Sequence, residues 1–427
     1  MTLLTSLVVS TGVFVAITMF LVAIHELAHL VVGRRLGIVP TVFSVGFGRT
    51  LWERADRTGL VWRLSALPLG GYVRFKGDDA PRGPETPEPG TLDAASIPAR
   101  MAMFAAGPAA NLVLGALLFA LAALLTPVER VPLTVGELLV AGSDLRPGDE
   151  IVSVDGRVPD RGGDFRAFSM ELPTANRHLY EVRRDTGIVT VRAPHPYPAI
   201  VAGTARGSAA ERGGLLPGDR IANVNGQPID RVSQLAAAAA DSGGAALDLV
   251  VIRDGAQFVV RTRPDELSGD GGASHFALGI NGAPLFAQEL ERIAPATALA
   301  RGFGEAGALA TAALRGTWDL IAGRHGVCDL GGPVEIARLS GAAATHGPVI
   351  VARLAAALSV LIAIMNLLPV PMLDGGRIVL LAVEAVWRKP VSDAAFRALM
   401  AGSLALLLAL MLVATIGDVF CCTAPGS

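Results

Sequence analysis

The sequence predicts a multi-pass α-helical membrane protein with about four transmembrane helices, a membrane-associated β-hairpin region and two extracytoplasmic β-rich domains. Three observations predict this fold class: apolar residues form long stretches, basic residues are unevenly placed, and one segment is repeated. Of 427 residues, 52% are hydrophobic and only 17% are charged, against roughly 25% charged residues in soluble domains. The 36 basic and 38 acidic residues give a formal charge of −2, so no positive excess points to a nucleic-acid partner.

Four stretches lack any charged residue, namely 1–24, 101–128, 354–373 and 398–417. Each has about the 20 residues that cross a hydrocarbon core of ~30 Å, so each is predicted to be a transmembrane helix in the lipid bilayer. A cleaved signal peptide is the alternative for the first stretch. No charged residue precedes its apolar run and no small-residue cleavage site is evident, which favours an uncleaved helix.

The basic residues predict the orientation in the membrane. The loop after the first helix carries Arg34, Arg35, Arg49, Arg54, Arg57, Arg63, Arg74 and Lys76, and the loop after the third carries Arg377, Arg388, Lys389 and Arg397, although segment 129–353 also carries many Arg. By the positive-inside rule both loops are cytoplasmic. Both termini and segment 129–353 are then expected outside, since long segments are translocated largely regardless of charge.

The outer segment contains an internal repeat. Residues 145–156 recur as residues 215–226, each with a Pro-Gly-Asp turn, a short alternating strand and an Asp-Gly or Asn-Gly hairpin turn. The pattern predicts two small β-rich domains and resembles the PDZ domains of bacterial membrane proteases, which bind peptides by adding a strand to a sheet edge. The second copy resembles them more closely, because the Gly-Ser-Ala-Ala-Glu-Arg-Gly-Gly run 207–214 precedes it. A pair of structural domains without a ligand is the alternative.

An H-E-x-x-H motif, His25-Glu26-Leu27-Ala28-His29, stands at the cytoplasmic end of the first predicted helix. The spacing places both imidazoles on one helix face, where they can share one ion. Zinc suits imidazole ligands in a tetrahedral site with one open position, and Glu26 is the natural general base for the attacking water. Such groups are costly in a membrane helix, which favours a functional role over a helix end with incidental histidines.

Asp374 is the candidate third ligand. It follows the uncharged stretch 354–373 and is therefore expected at the same depth as His25 and His29. Two prolines before it break the helix, and two glycines after it are expected to leave the chain flexible. Asp374 can then reach inward as a carboxylate ligand; an ordinary helix cap is the alternative.

Taken together, these motifs resemble the site-2 protease family of intramembrane zinc metalloproteases, in the bacterial branch that includes the regulator of sigma-E protease. The resemblance covers nearly the whole chain and depends on these segments: His25-Glu26-x-x-His29, Gly70-Gly71-Tyr72-Val73, Phe104-x-x-Gly107-Pro108-x-x-Asn111, the repeated domains, residues 331–337 (Gly-Gly-Pro-Val-Glu-Ile-Ala) and Asn366-x-x-Pro369-x-x-x-x-Asp374-Gly375. It implies that Zn²⁺ is held by His25, His29 and Asp374. It also implies Glu26 as the catalytic base and Asn366 as a substrate-orienting residue.

The resemblance further implies a place in the bacterial inner membrane and a role in regulated intramembrane proteolysis. The implied substrates are single-span membrane proteins, such as anti-sigma factors or signal-peptide remnants, which the two outer domains are expected to admit by size. One departure is visible, since relatives often have His where this chain has Arg377. We expect Arg377 to face the cytoplasm with little effect on the chemistry.

The loop between the first two helices contains three short β-type runs, 42–48, 61–64 and 72–75. The resemblance implies that this membrane-associated β element pairs with the substrate, and Gly70 and Gly71 are counted among the substrate-binding residues. Pairing makes physical sense, because a helical substrate must be unwound before its peptide bonds are exposed.

The predicted domain limits follow from these segments. They are helix 1 at 1–33, the β loop at 34–100, helix 2 at 101–128, PDZ domains at 129–196 and 197–267, amphipathic surface helices at 284–345, helix 3 with the Asp ligand at 347–377 and helix 4 at 396–418.

Three functions remain open from the residues. The first is an intramembrane zinc endopeptidase, and the second is an integral-membrane zinc protease of another class that cuts surface loops. The third is a non-enzymatic PDZ scaffold with a structural metal. Asp374 at the end of a broken helix favours the first, and a structural zinc is disfavoured because it needs four protein ligands where three are found.

Overall fold

The computed structural model describes residues 3–78, 88–140, 143–160, 164–175, 177–185, 187–268, 274–324 and 332–421. The chain forms two compact units, one from residues 1–126 with 293–427 and the other from residues 127–292. Gly331, the first residue of the 331–337 motif, lies outside the described residues.

The helices and strands are numbered in chain order. The helices are α1 (Leu3–Arg35), α2 (Ile97–Leu125), α3 (Phe165–Met170), α4 (Ala209–Arg212), α5 (Val232–Asp241), α6 (Pro295–Ile321), α7 (Pro333–Thr345), α8 (Pro348–Asn366), α9 (Asp374–Trp387) and α10 (Asp393–Cys421). The strands are β1 (Pro40–Ala55), β2 (Val61–Phe75), β3 (Val128–Glu129), β4 (Val135–Leu138), β5 (Glu150–Val154), β6 (His178–Arg184), β7 (Gly187–Ala193), β8 (Val201–Thr204), β9 (Arg220–Val224), β10 (Gln227–Pro228), β11 (Leu247–Arg253), β12 (Ala256–Thr262), β13 (Asp265–Ser268), β14 (Ser274–Ala277), β15 (Ile280–Gly282), β16 (Phe286–Gln288) and β17 (Leu290–Glu291).

Within the described residues, four helices are long and apolar enough to cross a membrane. They are Val9–Arg35, Ile97–Leu125, Pro348–Asn366 and Asp393–Asp418, in α1, α2, α8 and α10. The prediction of four spans is confirmed, because each of these helices exceeds the length that the hydrocarbon core requires.

The third predicted helix is two helices in the structure. Helix α8 ends at Asn366, and α9 begins at Asp374 after a turn that contains both prolines. The two glycines that were expected to leave the chain flexible lie in the first turn of α9 and are buried. A side chain on Gly375 or Gly376 would overlap the backbone carbonyls of Leu367 and Val370, so these glycines allow a close approach of backbone to backbone.

Helix α2 is packed against α6 and α8. Gly115 of α2 lies against Val360 of α8, and Gly302 of α6 lies against the α2 backbone at Ala116 and Ala120. Small residues allow such close helix contacts within membranes. Helix α6, predicted to lie at the outer membrane surface, therefore packs lengthwise on two of the spans.

The hairpin β1–β2 folds back on itself. Residues 42–45 pair with residues 61–64 on one side and with residues 71–74 on the other. The segment 71–75 is therefore an outer strand of this small sheet, and it is joined to α2 through the loop that begins at Lys76.

The two copies of the sequence repeat form the same turn in the unit of residues 127–292. Asp149 and Asp219, the aspartates of the two Pro-Gly-Asp turns, each accept two hydrogen bonds from one guanidinium, at 2.6 and 2.7 Å. The donors are Arg184 and Arg253. Each buried aspartate also accepts the backbone N–H three residues before it, so the motif fixes the same turn twice.

The first repeated domain is completed by residues that follow the second. Strand β16 pairs with β4, and β17 pairs with β3. Leu285 and Phe286 are buried in the same core as Tyr180 and Val182. The predicted limits 129–196 therefore omit part of this domain, and segment 284–345 begins with strands and not with surface helices. The pairing joins residues about 150 positions apart in the chain, which a local pattern does not predict.

We expect His195 to make the first domain sensitive to acid. Its Nδ1 accepts the Tyr197 N–H at 3.0 Å and its Nε2 donates to the Ser169 carbonyl at 2.9 Å, so the buried ring is neutral. Burial lowers the pKa of His195 from 6.5 to about 4. Below pH 6.5 the unfolded chain takes up a proton that the folded chain refuses, so the free energy of unfolding should fall as pH falls towards 4, by roughly 1 kcal/mol per pH unit.

We expect hydrogen exchange at the amides of Tyr180 and Val182 in the full-length protein to lose protection between pH 7 and pH 5. His195→Gln keeps a donor for the Ser169 carbonyl but cannot take up the proton, so its loss of protection should be smaller. Equal acid sensitivity of the two proteins would show that another group is responsible.

Candidate metal centre

His25 and His29 lie in consecutive turns of α1 and are 5% and 6% exposed. Asp374, the first residue of α9, meets them from the other side. Its Oδ2 is 3.0 Å from His25 Nε2 and 3.4 Å from His29 Nε2. These three residues are the one group of possible metal ligands found among the described residues, with all ligand atoms within 4.8 Å of one another.

The orientation of His29 is set by α2. The Met103 carbonyl lies 2.8 Å from His29 Nδ1. A carbonyl can only accept, so Nδ1 carries the proton and the Nε2 lone pair faces Asp374. Such an outer hydrogen bond is the usual way in which a metal-binding histidine is held in one tautomer.

Gly107 of α2 lies against both imidazoles. A side chain there would overlap His29 Nε2, and its Cβ would lie 2.6 Å from His25 Nε2. The glycine thus leaves free the space beside both ligand nitrogens. Gly107 belongs to the Phe104-x-x-Gly107-Pro108-x-x-Asn111 motif, but the sequence did not predict this role for it.

The arrangement fits a zinc ion. Zinc takes imidazole nitrogen and carboxylate oxygen at about 2.0–2.2 Å in tetrahedral geometry, which separates neighbouring ligand atoms by roughly 3.3 Å. The two distances to Asp374 Oδ2, 3.0 and 3.4 Å, bracket that value. Two neutral imidazoles and one carboxylate leave one position open for water or substrate, as catalytic sites do.

The three candidate ligands open on a cavity of about 670 Å³. Glu26 and Asn366 line it, as does the outer strand of the hairpin at Tyr72 and Val73. Asn366 is held by a 2.9 Å hydrogen bond from its Nδ2 to the Ile362 carbonyl. The structure thus brings the predicted base, the predicted substrate-orienting residue and the predicted pairing strand into one space.

Gly70 and Gly71 have different surroundings. Gly71 lies beside the base, because a Cβ on it would be 3.4 Å from Glu26 Cγ and 2.7 Å from the Ser44 carbonyl. Gly70 has a φ of 138° and lies against the ring of Phe47. Tyr72 and Val73, which follow them in the same strand, line the cavity, and a role of the two glycines in substrate binding stays a prediction.

Arg377, which we expected to face the cytoplasm, lines the cavity. Its guanidinium lies 5.7 Å from the centre of the Phe104 ring and 5.2 Å from that of Phe396, distances typical of cation–π contacts. The start of α10 therefore forms part of the cavity wall, which no local signal in the sequence indicates.

Comparisons with known proteins identify the family of the chain. The family model described as Peptidase family M50 matches residues 13–410. A protein of Ralstonia nicotianae, named as a zinc metalloprotease, is 32% identical over 434 residues that cover 89% of this chain and 91% of its own. The regulator of sigma-E protease of Escherichia coli K12 is 29% identical, with 91% and 92% covered. The protein of the same name in Salmonella typhi is 29% identical, with 87% and 90% covered.

Proposed function

Because the chain belongs to peptidase family M50 and is a zinc-dependent intramembrane protease, we propose that its zinc is held by His25, His29 and Asp374. The proposal depends on one observation. Asp374 Oδ2 lies within 3.4 Å of Nε2 of both imidazoles, at the point where Gly107 has no side chain to fill the space. The cluster has three ligands and opens on a cavity, which supports a catalytic ion over a structural one.

The roles of the surrounding residues follow from their positions. When bound, zinc supplies Lewis acidity that polarises a peptide carbonyl and makes water easier to deprotonate. The Glu26 carboxylate, which faces the same cavity, takes the proton of the attacking water and returns it to the leaving amine. Asn366 presents its amide to the substrate peptide and orients it. Met103 holds His29 in the tautomer that binds metal.

We propose that the strand 71–75 receives the substrate. Its inner side pairs with residues 42–45, and Tyr72 and Val73 line the cavity beside Glu26. An unwound segment paired along this strand would replace the helical hydrogen bonds it loses. Leu51, Trp52 and Leu67 of the same hairpin are more than half exposed, which supports its association with the membrane.

Asp374→Ala should both release zinc and abolish cleavage, because a carboxylate ligand is removed from a three-ligand site. We expect zinc, measured by mass spectrometry of the purified full-length protein, to fall well below one ion per chain. Asp93→Asn changes a carboxylate that lines the same cavity but contacts neither imidazole, and it should retain zinc. Full zinc occupancy in Asp374→Ala would remove Asp374 from the ligand set.

For the substrates, we propose single-span membrane proteins such as anti-sigma factors or signal-peptide remnants. Relatives named as regulators of sigma-E protease support a role in regulated proteolysis. The basic loops support an orientation in the bacterial inner membrane with the zinc site towards the cytoplasm and residues 127–292 outside. In that unit we propose two PDZ domains, one nested in the other, that restrict access by substrate size.

The nested arrangement decides how this can be tested. Leu290 pairs with Glu129 where the chain enters and leaves the unit, so residues 130–289 can be excised and the ends joined by a short turn. We expect the shortened enzyme to cut a single-span substrate that still carries its bulky outer domain. The intact enzyme should cut only the pre-trimmed form. Equal discrimination between the two substrate forms by both enzymes would refute the size-selection proposal. The proposals for the zinc ligands and for peptide cleavage would still stand.

A further inference from the structure

Asn111 is an unexplained polar group in a membrane span. It lies in α2, within the candidate span Ile97–Leu125, and is 0% exposed. Neither its Oδ1 nor its Nδ2 has a hydrogen-bond partner among the described residues. Its backbone carbonyl is satisfied, since it accepts from Ser359 Oγ at 2.8 Å. A buried amide without a partner costs free energy, and polar groups at such positions usually have a function.

His25 also has a buried polar atom without a hydrogen-bond partner in the described part of the chain. Its Nε2 faces Asp374 at 3.0 Å, but its Nδ1 is buried with no partner among the described residues. The other histidine of the pair has its Nδ1 held by the Met103 carbonyl. One ligand therefore has an outer hydrogen bond and the other lacks one.

The register of α1 against α2 indicates that the two unpartnered groups belong to facing turns of these helices. Met103 meets His29, and Gly107, one turn further along α2, lies against both imidazoles. Asn111 is the next turn of α2, and His25 is one turn back along α1. Still further along, Leu114 packs against the buried cluster of Ile17, Leu21 and Ala355, which is consistent with the same antiparallel register.

Side-chain direction supports the same pairing. Side chains in a helix lean towards its N-terminus, so the amide of Asn111 leans towards Gly107 and the imidazole that this glycine contacts. Within the described residues, Arg100 of α2 also has a buried unpartnered atom, its Nε, but a guanidinium can only donate and so cannot accept the proton of His25 Nδ1.

We propose that Asn111 is a positioning residue for the metal centre: its Oδ1 accepts the proton of His25 Nδ1 when zinc is bound. The hydrogen bond would hold His25 in the tautomer whose Nε2 lone pair binds metal, as the Met103 carbonyl does for His29. This inference rests on the proposed assignment of His25 as a zinc ligand. Loss of such an outer partner typically weakens metal affinity 10- to 100-fold.

Zinc affinity of the full-length protein in detergent, measured by competition with a chromogenic chelator, tests the proposal. Asn111→Leu keeps the size but has no acceptor, and we expect zinc to bind 10- to 100-fold more weakly. Asn111→Asp keeps an acceptor and should bind zinc at least as tightly as the native protein. Ser359→Ala is the matched control, because it removes the contact to the backbone of Asn111 and leaves its side chain in place.

A second readout separates positioning from packing. In the cobalt-loaded protein the visible absorption of the metal should shift in Asn111→Leu and stay unchanged in Ser359→Ala. Zinc affinity and cobalt spectra equal to native in Asn111→Leu would overturn the proposal, as would Asn111→Asp binding more weakly than Asn111→Leu. If Asn111→Leu does not fold, the order of affinities between native, Asn111→Asp and Asn111→Ala decides.

The zinc content of Asp374→Ala shows whether a negative result refutes only the role of Asn111 or also the proposed zinc ligands. Loss of zinc there with native affinity in Asn111→Leu refutes only the role of Asn111. Native zinc content in Asp374→Ala refutes the ligand set itself.

Discussion

Glu26→Gln should abolish cleavage while the protein keeps its zinc. The carboxylate faces the cavity beside the candidate ligands and makes no part of the ligand group. Gln has almost the same shape but cannot accept the proton of the attacking water. General-base catalysis typically contributes 10²- to 10⁴-fold, so the rate of cleavage of a single-span substrate should fall by at least that range.

Two measurements on the same preparation check this expectation: gel-resolved cleavage of the substrate and zinc content by mass spectrometry. Glu88→Gln is a suitable control, because Glu88 is exposed and pairs with Lys76 at 2.9 Å, and it should behave as the native protein. Turnover retained in Glu26→Gln would exclude Glu26 as the base. Loss of zinc together with turnover would instead indicate that it supports the metal.

Gly107→Ala should empty the metal centre although it adds a single methyl group. The new Cβ would overlap His29 Nε2 and lie 2.6 Å from His25 Nε2 and 2.7 Å from His25 Cε1. These contacts are shorter than packed carbon and nitrogen atoms tolerate, and the imidazoles are buried, so the rings must turn away from Asp374. We expect zinc content to fall several-fold and cleavage to fall with it.

The matched control is Gly12→Ala in α1, where a Cβ meets nothing within 4 Å and Ala is the better helix former. It should retain zinc and activity. Zinc content equal to native in Gly107→Ala would show that the ligand nitrogens do not meet beside this glycine, and the site as described would be wrong.

The candidate zinc site illustrates how much a local sequence pattern can predict. The spacing of His25 and His29 determines that both imidazoles share a face, because that relation depends only on helix geometry. Asp374 was predicted from its position after an uncharged stretch, and the structure brings it to the imidazoles. The carbonyl of Met103 and the absent side chain of Gly107 have no such signature, since a carbonyl belongs to every residue and a glycine is usually a helix breaker.

The unit formed by residues 127–292 shows the same limit. The repeat predicted two β-rich domains, and the turns at Asp149 and Asp219 are indeed built alike. That β16 and β17 return to complete the first domain was missed, because strand pairing over a long separation depends on packing of Leu285 and Phe286 into a core that only the folded chain contains.

Membrane spans are determined by the sequence because a charge in hydrocarbon is so costly that its absence over about 20 residues is a sufficient signal. The spacing of His25 and His29 is also determined by the sequence, because it depends only on the geometry of a single helix. The contact of the Met103 carbonyl with His29, the cavity wall at Arg377 and Phe396 and the close contact of α6 with α2 were decided by tertiary structure. Each depends on which surfaces of distant helices face one another, and that is settled only when small residues such as Gly302 let their backbones approach.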